Sequence, residues 1–468
     1  MKSTSTLIIG GGISGLTTAF WLKERGVNVM LLEKETTVGG TMKTIHEDEW
    51  LIETGPNSAL DTTPLFGHMF DRLGILGERI DADPAASKRY ILRDKMLHAL
   101  PTSPGSFLGT RLWSLPGKLR LLKEPFVKPA YKEETIAEFV ERRLGREFLD
   151  YAINPFVAGV YAGNPEQLSV RAAFPKLYAL EKKYGGLIKG MILGRQERKQ
   201  RPEMAKDRAA MFSFKNGMET FPLAMGHSLR DSVKTGCTLY EIAYDRASSK
   251  FRVRVLLDGV EQTIDAGSLV IATPARDAVF LLRQQIPSLG AILQRIYYPP
   301  VAEVFLGFHQ RQMHRPLDGF GYLIPAKEGR KTLGTIWSSS LFPNRAPKDH
   351  VALTTFVGGS RQPEILDMDD AYLITLVERE LQAIMQVEGR SVFSKVIRWE
   401  RAIPQYNIGH LDLMREISAL ETSHPGLFFC SNFRGGISVG DCVMSGERVA
   451  GKIATYLKEH TTQKKLSN

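Results

Sequence analysis

The chain has 468 residues, of which 43% are hydrophobic and 24% charged, with a net charge of +10. That length exceeds one compact core and fits two or three domains, and the composition excludes a disordered or fibrous chain. Three scattered cysteines (Cys237, Cys430, Cys442) and ten histidines without paired spacing support neither a disulfide framework nor a metal site, and no apolar run reaches the roughly 18 residues of a spanning helix.

In chain order, Leu7-Ile8-Ile9 predicts a buried strand, with no signal peptide ahead of it. A helix pattern follows through Leu16, Ala19, Phe20 and Leu22 and stops near Gly26. The run from Val27 to Leu32 predicts a second strand ending at Glu33. Between the first strand and the helix lies Gly10-Gly11-Gly12-Ile13-Ser14-Gly15. In this pattern Gly10 permits the tight turn, Gly12 lets a pyrophosphate reach the backbone, and Gly15 lets the helix pack close to the sheet. The helix start at Ile13 and Ser14 then offers free N–H groups and a positive dipole end to phosphate. Glu33, followed by Lys34, stands where a carboxylate accepts ribose hydroxyls and repels a 2′-phosphate, which argues against NADP. The doublet in Val38-Gly39-Gly40-Thr41 adds a second turn beside the phosphates and points to FAD. The turn Glu53-Thr54-Gly55-Pro56-Asn57-Ser58 supplies backbone donors along the flavin edge.

Arg89 reads, from the residues alone, as a surface arginine beside a strand. Five prolines between 101 and 131 break regular structure into short helices and loops. Basic residues there (Arg111, Lys118, Arg120, Lys123, Lys128) have few acids near them in sequence, and the excess continues to Arg208. Such a surface suits anionic lipid, nucleic acid or an anionic substrate, or is simply solvated. Helix patterns fill 132–194, and 195–208 reads as a charged surface segment. Strands are predicted at 239–242, 251–257 and 265–274, and those at 301–308, 320–324, 332–337 and 351–357 as members of one sheet. The C-terminus gives a strand at 427–430, a glycine-rich turn (432–441) and a helix from about Ser445 to Lys458. Ile437, Ser438 and Val439 in that turn are expected to aim backbone donors at the flavin.

The fold class expected is α/β (α+β). A Rossmann-like FAD-binding domain is assembled from discontinuous segments (1–85, 210–290, 396–468). A mixed-sheet substrate domain comprises 86–100 and 291–395, and a helical insertion 101–209.

The chain resembles the FAD-dependent protoporphyrinogen oxidases and their sisters the coproporphyrinogen oxidases, within the amine-oxidase-like flavoprotein superfamily. GGGISGL, VGG and GGISVGDCVMSG are shared with the wider superfamily. KRYILRDKMLHALP (88–101), NPFVAGVYAGNPEQLSVRAAFP (154–175), RPLDGFGYLIP (315–325), GTIWSSSLFPNRAP (334–347) and TTFVGG (354–359) carry the closer likeness. The resemblance implies that Arg89 pairs with a substrate propionate and that Gly159 lies against the macrocycle. It implies that Leu323, Ile336 and Phe356 sandwich pyrrole rings, and that Ile242 and Trp399 contact FAD.

The implied reaction is oxidation of protoporphyrinogen IX to protoporphyrin IX in haem biosynthesis, with oxygen reoxidising the flavin to give hydrogen peroxide. Coproporphyrinogen III is the alternative substrate. More distant readings are an amine oxidase, a carotenoid desaturase or a non-catalytic tetrapyrrole carrier. No obligatory catalytic base stands out. The chain departs from many superfamily members in having Thr37-Val38 before the doublet, without a basic residue. The loop after Ser58 also lacks lysine, which tilts the reading toward protoporphyrinogen. The 101–131 stretch resembles a membrane-docking region, with Trp113, Phe107, Leu108, Leu115 and Phe126 expected in lipid. The expectation is a cytoplasmic protein, peripheral on the inner membrane, with a hand-off partner in the pathway and no nucleic acid. Monomer and homodimer both stay open.

Overall fold

The computed structural model describes residues 2–194 and 209–466, so the charged stretch 195–208 lies outside the described residues. The first sheet has seven strands. Lys2–Ile9 runs at its centre between Val29–Leu32 and Val260–Ile271, parallel to both. Lys250–Leu257 and Thr238–Asp245 extend it by antiparallel pairing, Val233–Lys234 borders Val29–Leu32, and Leu427–Phe429 pairs in parallel with Leu269–Ile271. Leu7 and Leu31 have both neighbours in the sheet and helices over the faces, so they are fully buried.

The helix Ile13–Glu24 buries residues on every side, as its apolar composition dictates. It packs beneath the sheet and against the C-terminal helix Val439–Leu466, where Gly446 lies on Thr17 and Thr18. That helix starts at Val439, six residues before Ser445. Ser438 caps it, accepting from Asp441 N at 3.2 Å and donating to Asp441 Oδ2 at 2.6 Å. The glycine-rich turn therefore ends directly on the helix, with no intervening loop.

The second sheet also has seven strands, in the order Phe393–Trp399, Val301–His309, His350–Gly358, Thr332–Ile336, Gly319–Leu323, Lys88–Arg93, Met96–Ala99. The expected domain border at 395/396 falls inside Phe393–Trp399. That strand pairs along its whole length with Val301–His309, so the second sheet extends to Trp399. The segment Pro287–Leu293 packs on the core of the first sheet, which moves the border at 290 a few residues onward. Helix Asp370–Met385 covers one face of the second sheet with Leu373, Val377 and Leu381. The other face meets the hairpin Thr44–Glu47 with Trp50–Glu53, where Trp50 and Ile52 pack on Phe305.

The helical insertion is built around buried charge. Arg143, fully buried, bonds Glu124 at 3.0 Å and the carboxylate of Glu181. Glu124 also accepts from Leu187 N at 2.7 Å and Ile188 N at 3.1 Å, so it caps the next helix. The basic stretch is therefore partly neutralised by acids distant in sequence, as Arg93 and Glu147 also show at 2.7 Å. Arg143→Ala should cost roughly 3–5 kcal/mol, because it leaves Glu124 buried without its cation and takes from Glu181 one of its two, Arg142 being the other. Urea unfolding followed by circular dichroism of the insertion's helices measures it.

The aromatic cluster of this region departs from expectation. Trp113 is 5% exposed and stacks on Phe148 with centroids 4.6 Å apart, and Phe107 packs beside them. Trp113 is core, because Phe148 from a later helix completes a stack that local sequence does not show. The exposed apolar side chains are Leu108, Leu115, Leu119, Leu122 and Phe126.

Candidate active site

Two half-sites face each other. In the first, Gly10 has φ +108, a left-handed turn out of the strand, and Gly15 presses on Gly10, where an added Cβ would stand 2.0 Å from the Gly10 carbonyl oxygen. Helical bonding begins with Leu16 N donating to Gly12 O at 3.0 Å, which leaves the N–H groups of Ile13, Ser14 and Gly15 pointing out of the helix start. A Cβ on Gly12 would meet no protein atom within 4 Å. Gly39 and Gly40, both left-handed, form the opposite wall, with Gly39 N bonded to Gly11 O at 2.9 Å and Gly40 against Gly12. Thr41 lies next to Gly55, whose added Cβ would stand 2.2 Å from the Thr41 carbonyl oxygen, so Gly55, Pro56, Asn57 and Ser58 continue the same cradle.

Glu33 is 7% exposed, and its two oxygens accept from Gly11 N at 2.5 Å and Glu35 N at 2.9 Å. An ionised carboxylate has about four acceptor positions. Two therefore stay available for hydroxyl donors such as a ribose. Lys34 beside it is exposed. An open phosphate-sized cradle at a helix N-terminus, with a buried carboxylate one strand away, fits a dinucleotide such as FAD. Ile437 and Val439 flank Ser438 at the start of the last helix, after Gly435 and Gly436, which are both left-handed. Tyr406 fixes that turn, its hydroxyl donating to Asn432 O at 2.6 Å and accepting from Gly436 N at 3.0 Å.

The second half-site is the inward face of the second sheet. Directly paired residues share a face. One row across the sheet reads Ile397, Glu303, Phe356, Gly334, Leu323, Ile91. The next reads Lys395, Phe305, Thr354, Ile336, Gly321, Arg89. Register thus places Phe356, Leu323, Ile336 and Arg89 on one surface. The three apolar side chains are half-buried and Arg89 is exposed. Gly334 and Gly321 sit between them, where an added Cβ would stand 2.5 Å from Tyr322 O and 2.0 Å from Thr335 O, so the strands close tightly there. Gly159, within the helix Asn154–Tyr161, closes over the row, since a Cβ there would stand 2.4 Å from Leu323 Cδ2. Ala162 takes the left-handed cap (φ +48), so Gly159 is free of a capping role.

Trp399 joins the halves, its indole N–H donating to Thr54 O at 2.6 Å. Ile242 stands apart from this arrangement. Its side chain is 3% exposed in the core with Leu7, Ile9 and Cys237. The segment that reaches Glu33 is instead 234–237, with Glu33 N bonded to Lys234 O at 2.8 Å and Cys237 N to Glu33 O at 2.9 Å.

Two carboxyls at the junction escaped the sequence reading as functional groups. Burial pushes Glu53 up to about 7, against the opposing pull of Arg345. Burial holds Glu303 well above the ordinary carboxylate range, with Glu53 adding to the effect. The signal for Glu303 was present, since it is the one acid in an otherwise apolar buried strand.

A family model described as flavin containing amine oxidoreductase matches residues 13–454. Protoporphyrinogen oxidase 2, chloroplastic/mitochondrial, of Arabidopsis thaliana is 32% identical over 98% of this chain and 95% of that protein. Coproporphyrinogen III oxidase of Bacillus subtilis is 28% identical over 96% of this chain and 98% of its own length. Among solved structures, one from Exiguobacterium sp. 255-15 superposes with TM-score 0.79 at 23% identity, covering 97% of this chain and 98% of its own.

Proposed function

We propose, from the premise that the chain belongs to the flavin containing amine oxidoreductase family, that it oxidises protoporphyrinogen IX to protoporphyrin IX. The observation that carries this is the inward sheet face. It combines half-buried apolar side chains and one exposed arginine at its rim, opposite a dinucleotide cradle. A tetrapyrrole is flat and apolar with carboxylates at its edge, and this surface has the matching chemistry. The full-length likeness to enzymes named protoporphyrinogen oxidase supports the same reading.

The Gly10–Gly15 turn, Gly39–Gly40 and Glu33 would hold FAD, which would supply a two-electron acceptor for hydride. The chain's own residues do the rest. Arg89 binds a propionate, where a guanidinium fork suits a carboxylate better than an ammonium would. Leu323, Ile336 and Phe356 hold the macrocycle flat and exclude water, and Gly159 lets the helix backbone approach it. Three such oxidations convert the substrate to the aromatic product. Coproporphyrinogen III is the second reading, favoured by the likeness to the Bacillus subtilis enzyme. Porphyrin fluorescence with each porphyrinogen in parallel separates them. The first reading expects the higher kcat/KM with protoporphyrinogen, and the reverse ratio overturns it.

Leu108, Leu115, Leu119, Leu122 and Phe126 are all more than half exposed beside Lys118, Arg120 and Lys123. Apolar side chains interleaved with cations suit the surface of an anionic bilayer. No helix among the described residues is long and apolar enough to cross one. In flotation, the protein should rise with anionic vesicles, and Leu122→Asp together with Phe126→Asp should leave it at the bottom.

A further inference from the structure

The strand Val301–His309 reads VAEVFLGFH, and eight of its nine residues are buried. Glu303 is 4% exposed, and its Oε2 has no hydrogen-bond partner among the described residues. A buried carboxyl oxygen left unpaired is costly, so its retention here points to a partner that arrives from outside the chain. Its surroundings identify the place. Glu303 is paired with Phe356 on one side and Ile397 on the other. Asn57 and Glu53 face it from the cofactor half and Trp399 from the adjoining strand. The free oxygen therefore lies where the cofactor cradle and the apolar substrate face meet.

Glu53 is the second member. It accepts from Thr44 Oγ1 at 2.8 Å and Met218 N at 2.9 Å, and Arg345 stands 3.5 Å away. Glu219 is the remaining charged group that faces it. Both are buried and Glu53 acts on Glu303 electrostatically, and two interacting buried carboxyls do not both ionise. With one cation for the pair, the couple carries one proton at neutral pH, its charge on Glu53 beside Arg345 and its proton on Glu303.

We propose that the Glu53–Glu303 couple is the proton acceptor of the oxidation. This rests on the porphyrinogen reading of the site. In each two-electron step a C–H bond of a methylene bridge breaks and hydride leaves with the bonding pair to the flavin. A pyrrole N–H bond breaks, its pair stays to form the new C=N bond, and the proton forms an O–H bond on Glu303 as the proton already there passes to Glu53. The couple thus goes from one proton to two and loses its negative charge. Glu53 also borders a small cavity whose lining includes Asn57, Ser338, Arg345 and Thr354 alongside Leu51, Phe305 and Ile336, and the second proton leaves from Glu53 on that side.

The test uses the FAD-loaded chain and Glu303→Gln, which keeps the volume and cannot take up a proton. FAD content should stay at the wild-type ratio while kcat falls by roughly 10²-fold or more, with KM little changed. Glu53 is protonated below about pH 7 and ionised above it. Wild-type kcat should therefore fall as pH drops through neutrality, and the residual activity of Glu303→Gln should lack that limb. Infrared spectroscopy of the substrate-free protein gives an independent reading. The wild type should lose one carboxylic-acid band as pH rises through neutrality and keep another above it. Glu53→Gln should remove the first band and Glu303→Gln the second. Bands unchanged by either substitution would overturn the couple. If the wild type oxidises neither porphyrinogen, the couple and the functional reading fall together. If porphyrin forms and Glu303→Gln turns over at the wild-type rate, the couple alone is overturned.

Discussion

Gly12→Val should give a folded and colourless protein. Gly12 has φ −74 and ψ 176, an extended conformation that valine favours, and its added Cβ touches no protein atom within 4 Å. The chain leaves room for the added Cβ. The branched side chain instead fills the space between the helix start and Gly40 that the pyrophosphate must occupy. The flavin absorbance band should be absent after purification with added FAD, and oxidase activity with it. The unfolding midpoint should be compared with wild-type protein stripped of FAD, because a ligand that binds only the folded state raises the apparent stability of the loaded form. Gly15→Val is the informative contrast. Its Cβ would stand 2.0 Å from Gly10 O, so that variant should lose both cofactor and stability. A yellow Gly12→Val protein would place the phosphates elsewhere.

Arg89→Glu should be the most damaging change at the substrate face. Lys88 next to it pairs with Asp318 at 2.5 Å, whereas no ion pair binds Arg89 among the described residues. Its guanidinium lies 5.9 Å from the ring of Phe320, exposed at the end of the row that contains Ile336. A charge-assisted hydrogen bond is worth roughly 1.5–3 kcal/mol, so Arg89→Ala should lower kcat/KM by about 10- to 100-fold. Reversal of charge adds repulsion and should exceed the alanine loss by at least about another factor of ten. Arg89→Lys should fall between wild type and alanine, since it keeps the charge without the fork. FAD content and unfolding midpoint should not move in any of the three, because the side chain is exposed. Equal kcat/KM for Arg89→Ala and wild type would remove this residue from the site.

The cofactor half was legible because its signals are local. A strand, three glycines, a helix and an acid follow one another within 33 residues, and each has a backbone reason to be where it is. The hairpin Thr44–Glu47 with Trp50–Glu53 was missed for the opposite reason. Its turn places Asp48 at φ +47 and Glu49 at φ +64 without the usual glycine or asparagine. The substrate face is not local at all. Arg89, Ile336 and Phe356 become neighbours only through the pairing of strands far apart in sequence, so by pattern alone they read as a surface arginine and two core residues. Trp113 shows the same limit. Its place in lipid was expected from the likeness of 101–131 to a membrane-docking region, and Phe148, 35 positions later, buries it. Glu303 required both kinds of knowledge, the composition of its strand and the identity of what lies across from it.

The most direct measurement is anaerobic mixing of the flavin-loaded chain with protoporphyrinogen IX, following flavin absorbance and porphyrin fluorescence together. The yellow band should bleach, with red fluorescence appearing once oxygen restores turnover. A flavin that stays oxidised with both protoporphyrinogen and coproporphyrinogen would contradict the functional reading.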